Sequence, residues 1–348
     1  MSCGNPPATC ILGATKLVSV LRKGYSALKH YVVQRLLQLI PILIGITLLS
    51  FGMMYLAGGD AVTAVLENQG VAVTQELIDA KRHELGLDQP FLTQYLNWLG
   101  GLLTGDMGTS YVSGKDVFGT FVSKLPATIL LTFTSVIATV VIAVPLGIIS
   151  ATRQNRFTDY LIRVLSFIGN SLPNFFVALL LIFVFAITLG WLPVISANIG
   201  KSGIEAISGP GIILPTATLA IAMASKYTRQ IRATVLDELN KPYVAGARAR
   251  GVPEHRILTR DVLKSVMIML VTLLALSIGD LLGGTAIVET IFQWDGVGKL
   301  AVDSITMRDY PMIQAYVVWM AIIYVVVNLI ADLLYHYLDP RVRLGGVE

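Results

Sequence analysis

Long apolar runs alternate with shorter polar ones along the 348 residues. A helix crossing about 30 Å of hydrocarbon needs about 20 mostly apolar residues. Residues 36–56, 127–150, 266–291 and 312–335 meet that length without argument. The run 175–192 is at the short end but almost purely apolar, and 212–225, which contains Pro215, is the weakest of the six. The pattern predicts an all-α integral membrane protein with six transmembrane helices.

Charge placement decides whether the weakest run spans. With the N-terminus inside and six crossings, the inside segments are 1–35, 151–174, 226–265 and 336–348. They hold 5, 3, 9 and 2 Lys or Arg residues, 19 of the chain's 26. The outside segments 57–126, 193–211 and 292–311 hold the other 7. If 212–225 did not cross, the nine-cation stretch after it would face outward, against the positive-inside bias. Six spans with both termini cytoplasmic is the consistent reading.

Composition agrees. Hydrophobic residues make up 54% of the chain and charged residues 14%, and mean hydropathy is +0.70. Soluble domains carry roughly a quarter charged residues. Cys3 and Cys10 are the only cysteines, which excludes a disulfide framework for the body and makes a poor metal site. The cationic stretch before the first run continues to Arg35 and no small-residue cleavage pattern follows, so that run reads as an uncleaved anchor. Residues 1–35 form a cytoplasmic extension with little pattern.

Three polar segments carry structure of their own. In the outer segment 57–126, residues 73–85 have helical spacing, with Gly86 placed as a C-terminal cap. Phe91, Tyr95, Trp98, Leu99 and Leu102 then repeat at helical steps. This is either a lid packed on the bundle or part of a docking surface for an external protein. Inside, 158–172 is a helix that Thr158 and Asp159 can cap, with a stripe of Leu161, Val164, Leu165 and Ile168. It either lies along the interface or extends the next span. The segment 226–265 is strongly polar yet keeps helical apolar spacing through Ile231, Val235, Leu239 and Tyr243, and again through Ile257, Leu258 and Val262. Gly251 breaks it, and Pro253 with Glu254 opens the next helix. Helix, turn, helix could suit DNA. Tethering to the membrane at both ends excludes nucleic acid as a partner.

At this loop the chain resembles a known family. The run from Tyr243 through Ala245, Gly246 and Ala247 to Gly251, followed by Val252, Pro253 and Glu254, is similar to the coupling loop of ATP-binding-cassette importer permeases. The acidic residue that opens the family's pattern is absent, and Met269 stands where a late proline is usual. Further stretches match the dipeptide, oligopeptide and nickel group. They are Leu85 to Pro90, Gly105 to Ser110, Leu125 to Thr128, Glu289 to Gly298 (with Asp295 in place of proline), Arg308 to Gln314, and Leu338 to Arg341. The resemblance implies a type I importer permease with its core over 127–335, in the inner membrane of a bacterium. Implied partners are a second homologous permease subunit, two ATP-binding subunits that hold ATP and magnesium, an extracytoplasmic substrate-binding protein, and lipid. Tyr243, Ala245, Gly246, Ala247 and Gly251 would couple to the ATPase. The cargo is nickel or a metal chelate, a di- or oligopeptide, or a glutathione-like molecule, with Gly283-Gly284 and the short third outer loop leaning slightly to the metal branch.

No catalytic residue, cofactor or metal site is expected in this chain. Gly200-Lys201-Ser202 and Gly298-Lys299 lack the glycine that a phosphate loop needs five residues earlier. His30, His83, His255 and His336 lie on separate segments, and Met53 and Met54 read as ordinary span residues. A carboxylate deep in a span costs about 2.5–3.5 kcal/mol on insertion scales, so it faces a cavity or a partner. Asp280, followed by Gly283 and Gly284, is the candidate for lining the pathway, with interhelix hydrogen bonding as the alternative; Asp332 lies nearer the inner end. Two rival classes are an ion-coupled secondary transporter, which should show inverted repeats and broken helices, and a membrane scaffold that transports nothing.

Overall fold

The computed structural model describes residues 8–56, 62–63, 66, 74–196 and 209–338. Side chains are described from residue 32 to 333 within those ranges, apart from 268, 272, 275–276, 280 and 282–284. The regular secondary structure of the described residues is helical, with one isolated bridge between Thr109 and Asp116.

Helix α1 (Ala8–Leu56) is continuous through Pro41, so the extension and the first span are one helix. Two shorter helices follow, α2 (Gln75–Glu84) and α3 (Phe91–Thr104). The expected cap at Gly86 holds: its φ is 67°, and its N–H donates to the carbonyl of His83. The aromatic stripe of α3 packs on the end of α1. Phe51 lies 5.4 Å from Phe91 and 5.6 Å from Tyr95 between ring centroids, edge to face, and Thr47 meets the Tyr95 hydroxyl at 3.0 Å. Of the two readings of this segment, packing on the bundle is what these contacts describe.

Helix α4 (Val117–Thr152) starts well before residue 127 because Asp116 caps it, accepting from the Gly119 N–H. Helix α5 (Phe157–Ser171) meets α6 (Asn174–Leu181) at a bend of 106°, so α5 is not a straight extension of the next span. The backbone after α6 continues as a π-helix over Ile182–Thr188. Neither Thr158 nor Asp159 caps α5: Arg156 occupies the cap position without a side-chain bond, and Asp159 is fully buried. The stripe Leu161, Val164, Leu165 and Ile168 is exposed.

Helix α7 (Ile213–Leu239) runs unbroken through the expected boundary at 225. Its chain neighbours are α8 (Pro242–Ala249), one turn over Glu254–Arg256, a π-helical stretch over Ile257–Val262 and α9 (Leu263–Gly284). The run 266–291 is divided at Thr285, and α10 (Ala286–Ile291) packs against α6. Helices α11 (Val297–Thr306) and α12 (Tyr310–Leu338) complete the chain.

Among the described residues three helical stretches are long and apolar enough to cross a membrane, Val32–Leu56, Val117–Thr152 and Tyr310–Leu333; the bent pair α5–α6 makes four. Helix α7 lies at the centre, packed on α4, α5 and α6. A Cβ on Gly147 would stand 2.6 Å from Ile231 Cγ2 and 3.1 Å from the Thr228 carbonyl oxygen, so this glycine is what lets α4 approach α7. Close approach through small residues is how helices associate where burial from water gives no drive. Two apolar clusters sit at opposite ends. One holds Tyr227, Ile231, Val235, Val244, Ile257 and Val266 at the end bearing the basic segment. The other holds Leu131, Leu181, Leu219, Val288, Phe292 and Trp294 at the far end.

Candidate coupling surface and the polar latches behind it

Helix α8 is short, and tertiary contacts hold it. Pro242 opens it with a preset φ. Val244 and Ala247 are buried in the cluster with Ile231, Val235 and Val262, while Tyr243, Ala245, Arg248 and Ala249 face out. Glu238, at the end of α7, is buried and accepts from Lys241 Nζ at 2.6 Å and the Tyr243 hydroxyl at 2.8 Å. Burial pushes the Glu238 carboxyl up, but hydrogen bonds from Lys241 and Tyr243 outweigh it and hold the group below its ordinary range. The Tyr243 phenol is pushed up to about 12 by burial of its hydroxyl end, by donation to Glu238 and by that carboxylate's charge. The pair is locked as phenol and carboxylate across neutral pH.

The turn after α8 is set by Gly251, whose φ is 75°. Its N–H donates to Arg248, and Val252 N–H reaches back to Ala247 O at 3.2 Å. A Cβ at 251 would meet nothing within 4 Å, so the position is open on its outer side. Arg248 pairs with Glu254 across the turn, at 2.5 and 3.3 Å. Arg250 and Arg256 are exposed beside it. The result is a braced corner that presents small side chains and cations.

Behind the corner, α5 is tied to α7 by a buried ion pair. Asp159 takes Arg232 Nε at 2.7 Å and Nη2 at 2.8 Å, with Ser150 Oγ at 2.6 Å and the Asn155 N–H at 3.0 Å. Every oxygen lone pair of importance is used, which is what a buried carboxylate requires.

At the far end, stretches that are distant in sequence meet in pairs. Glu289 is fully buried and accepts from Thr128 Oγ1 at 2.8 Å, Thr285 Oγ1 at 3.1 Å and the Lys299 N–H at 2.9 Å. Trp294 Nε1 donates to Ala127 O at 3.0 Å, Val297 N–H to Thr128 Oγ1 at 2.8 Å, and Lys124 pairs with Asp295. A Cβ on Gly298 would stand 2.9 Å from Glu289 Oε2 and 2.7 Å from Ala286 Cα, so only glycine lets α11 close on the carboxylate. In the same way Asp309, 4% exposed, accepts from Ser110 Oγ at 2.5 Å and the Tyr111 N–H at 3.1 Å. The stretches 125–128 and 289–298 form one latch, and 105–110 and 308–314 form the other.

Residues 143–344 match the family described as the inner membrane component of binding-protein-dependent transport systems, and residues 28–132 match that component's N-terminal family. The chain belongs to this family. The oligopeptide transport system permease protein AppB of Bacillus subtilis (strain 168) is 40% identical over 322 residues, covering 90% of this chain and 99% of AppB. The glutathione transport system permease protein GsiC of Escherichia coli (strain K12) is 37% identical over 314 residues, again 90% of this chain and 99% of GsiC. Inward-facing structures of the MetNI methionine ABC transporter share the fold, with a TM-score of 0.50, 18% identity and coverage of 64% of this chain and 97% of the other. The chain is thus a permease subunit of an ABC importer, in the peptide and oligopeptide group, and an inner-membrane component.

One matched segment of this permease ends and the other begins inside α4, at 132 and 143, so its outer segment and its core share one helix. Of the residues singled out for coupling, Tyr243, Ala245 and Gly251 lie on the exposed corner, Gly246 is half-buried, and Ala247 is core, 4% exposed. Asp280, Gly283 and Gly284 fall in the last turns of α9, and their side chains lie outside the described residues. Gly200, Lys201, Ser202 and residues 339–341 lie outside the described residues too. Asp332 pairs with Arg35 at 3.2 Å and so joins α12 to α1. Sequence reading passed over Glu289, Asp309 and the inward turn of Arg232. The signal for the first two was present: each sits in a family stretch whose partner stretch supplies a Thr or Ser.

Proposed function

We propose that this chain is one of two homologous permease subunits that together form an inward pathway for a short peptide. It crosses the membrane six times with both termini cytoplasmic. Two ATP-binding subunits, which hold ATP and magnesium, dock at the corner formed by α8 and Gly251, and an extracytoplasmic substrate-binding protein delivers cargo at the far end. The observation that carries this reading is the construction of α8: an exposed face of Tyr243, Ala245 and Arg248 braced from behind by Val244, Ala247 and the Glu238 latch. A helix seated on rigid supports can transmit a push, whereas a solvated loop would absorb it. Six crossings are supported by the 19 of 26 cations that this topology places inside.

The oligopeptide and glutathione names of its relatives favour a peptide cargo over nickel or a metal chelate. Asp280 remains the proposed pathway carboxylate. Asp280→Asn should lower uptake while assembly and basal ATPase activity persist; unchanged uptake assigns it to helix packing instead. For the coupling corner, a cysteine at Ala245 should cross-link to the ATP-binding subunit in the purified complex and should escape an impermeant label added to intact cells. Labelling of 245 from outside would reverse the topology and remove the docking claim.

A further inference from the structure

At the far end of the bundle lies a cavity of about 660 Å³, walled by the end of α1, by α3 and the loop after it, and by the first turns of α12. Small-molecule sites typically span about 300–1,000 Å³. Gln314 lines this cavity, is 6% exposed, and its side-chain amide has no hydrogen-bond partner among the described residues. Its amide atoms are not among the buried, unpaired side-chain atoms; they open onto the cavity, where a ligand can reach them. The Tyr111 hydroxyl in the same wall also has no partner among the described residues. Burial, with the neighbouring Asp309 charge, pushes its phenol up to about 12, so it stands there as a neutral donor.

The rest of the lining narrows the chemistry. Arg82, 3.7 Å from Asp79, and Asp106, whose Oδ1 takes the Gly108 N–H, put one positive and one negative group on the same cavity. Phe51 and Trp98, with ring centroids 6.3 Å apart, give it an aromatic wall. A glutamine amide offers a donor and an acceptor side by side, which matches the N–H and C=O of a peptide group. Opposite charges match carboxylate and ammonium termini, and the aromatic wall matches an apolar side chain. We propose that this cavity binds a short zwitterionic peptide within this one subunit, with Gln314 holding a peptide group and Arg82 the terminal carboxylate. The site is distinct from the coupling corner and from the segment of Asp280. It rests on the peptide reading above for the origin of its ligand, but its chemistry is that of the residues named.

The test uses the permease purified with its partner chains, titrated with trialanine and with trialanine amidated at its C-terminus, and followed by tryptophan fluorescence. Trialanine should change the emission saturably, and Trp98→Phe should remove the change. Gln314→Leu should weaken binding about tenfold or more while the melting temperature holds, since no hydrogen bond among the described residues is lost. Arg82→Ala should weaken trialanine and leave the amidated peptide unaffected. No saturable binding at millimolar peptide, or affinity in Gln314→Leu within about twofold of the parent, overturns the site. If Gln314→Leu fails to assemble, the Arg82→Ala comparison decides alone: equal losses for both peptides reject the assignment. Uptake by the reconstituted complex separates the two proposals. Peptide uptake without Gln314-dependent binding removes this site and keeps the proposed function, and binding without uptake does the reverse.

Discussion

Gly251 permits a test that separates backbone strain from docking. Its φ of 75° is in the left-handed region, and a Cβ there would touch nothing within 4 Å. Within this chain, any substitution therefore acts through conformation and not through collision. An L-residue forced into that region costs roughly 1–2 kcal/mol; asparagine tolerates it best and a β-branched residue worst. Strain thus ranks asparagine below alanine below valine, while side-chain bulk ranks alanine below asparagine below valine. If Gly251 matters only as a turn, Gly251→Asn should be nearly silent, Gly251→Ala should shift the corner's conformational equilibrium about five- to thirtyfold for that cost, and Gly251→Val should shift it more. If the corner seats in a cleft of the ATP-binding subunit, Gly251→Asn should uncouple more severely than Gly251→Ala, the reverse of the order that strain gives. The assay is uptake per ATP hydrolysed in proteoliposomes, with complex yield as the control. Normal coupling in all three variants at normal yield would refute the role of this corner.

Three further outcomes follow from the buried contacts. Removing one partner of the Asp159–Arg232 pair leaves an uncompensated buried charge, so Asp159→Asn or Arg232→Met should each cost about 3–5 kcal/mol; the double variant should melt less than additively below the parent in detergent, and strict additivity would dissolve the pair. Gly147→Ala should cost about 1–3 kcal/mol by overpacking because the added carbon meets Ile231 and a backbone carbonyl, read as a lower melting temperature; an unchanged one would mean α4 and α7 separate freely. The Glu238 carboxyl is held low in the folded chain, so its contribution is present above its ordinary value near 4.5 and lost as pH falls through the folded value. Amide exchange in α8 should therefore quicken on acidification, and Tyr243→Phe should raise exchange at neutral pH; no change in either would release α8 from the latch.

The apolar blocks, the turn at Gly251 and the cap at Gly86 were legible because each depends on local periodicity or on one residue's backbone preference. The single helical pattern expected to run through Tyr243 to Gly251 is instead two helices, because α7 ends at Leu239 and Pro242 opens α8. The break at Thr285 was not legible, since Thr285 is an acceptable helix residue: its φ and ψ stay helical, and the Glu289 N–H still donates to its carbonyl. Arg232 was counted among the inside cations, and a tally of charges cannot tell that its partner, 73 positions earlier, takes it into the protein. Asp159 read as a helix cap for the same reason: its position beside Thr158 is a local signal, and Arg232 is a distant competitor that wins. Of the coupling residues, the small size of Ala245 and Ala247 was visible, but which of them faces outward depends on the buried Val244, which fixes the rotation of α8.

Helix α7 spans both apolar clusters without a break, from Leu214 at one end to Val235 at the other. Its 27 residues make a rod about 40 Å long at 1.5 Å per residue. A rod has no delay and no intermediate register. Rotated about its middle by about 5°, each tip of such a rod sweeps about 2 Å in opposite senses. Whatever displaces the tip that joins α8 must therefore move the tip near Trp294 in the same instant, in proportion and in reverse. Alternating access in this subunit would then be a seesaw with a fixed ratio, and a ligand clamped at the far tip would resist motion at the near one by the same leverage.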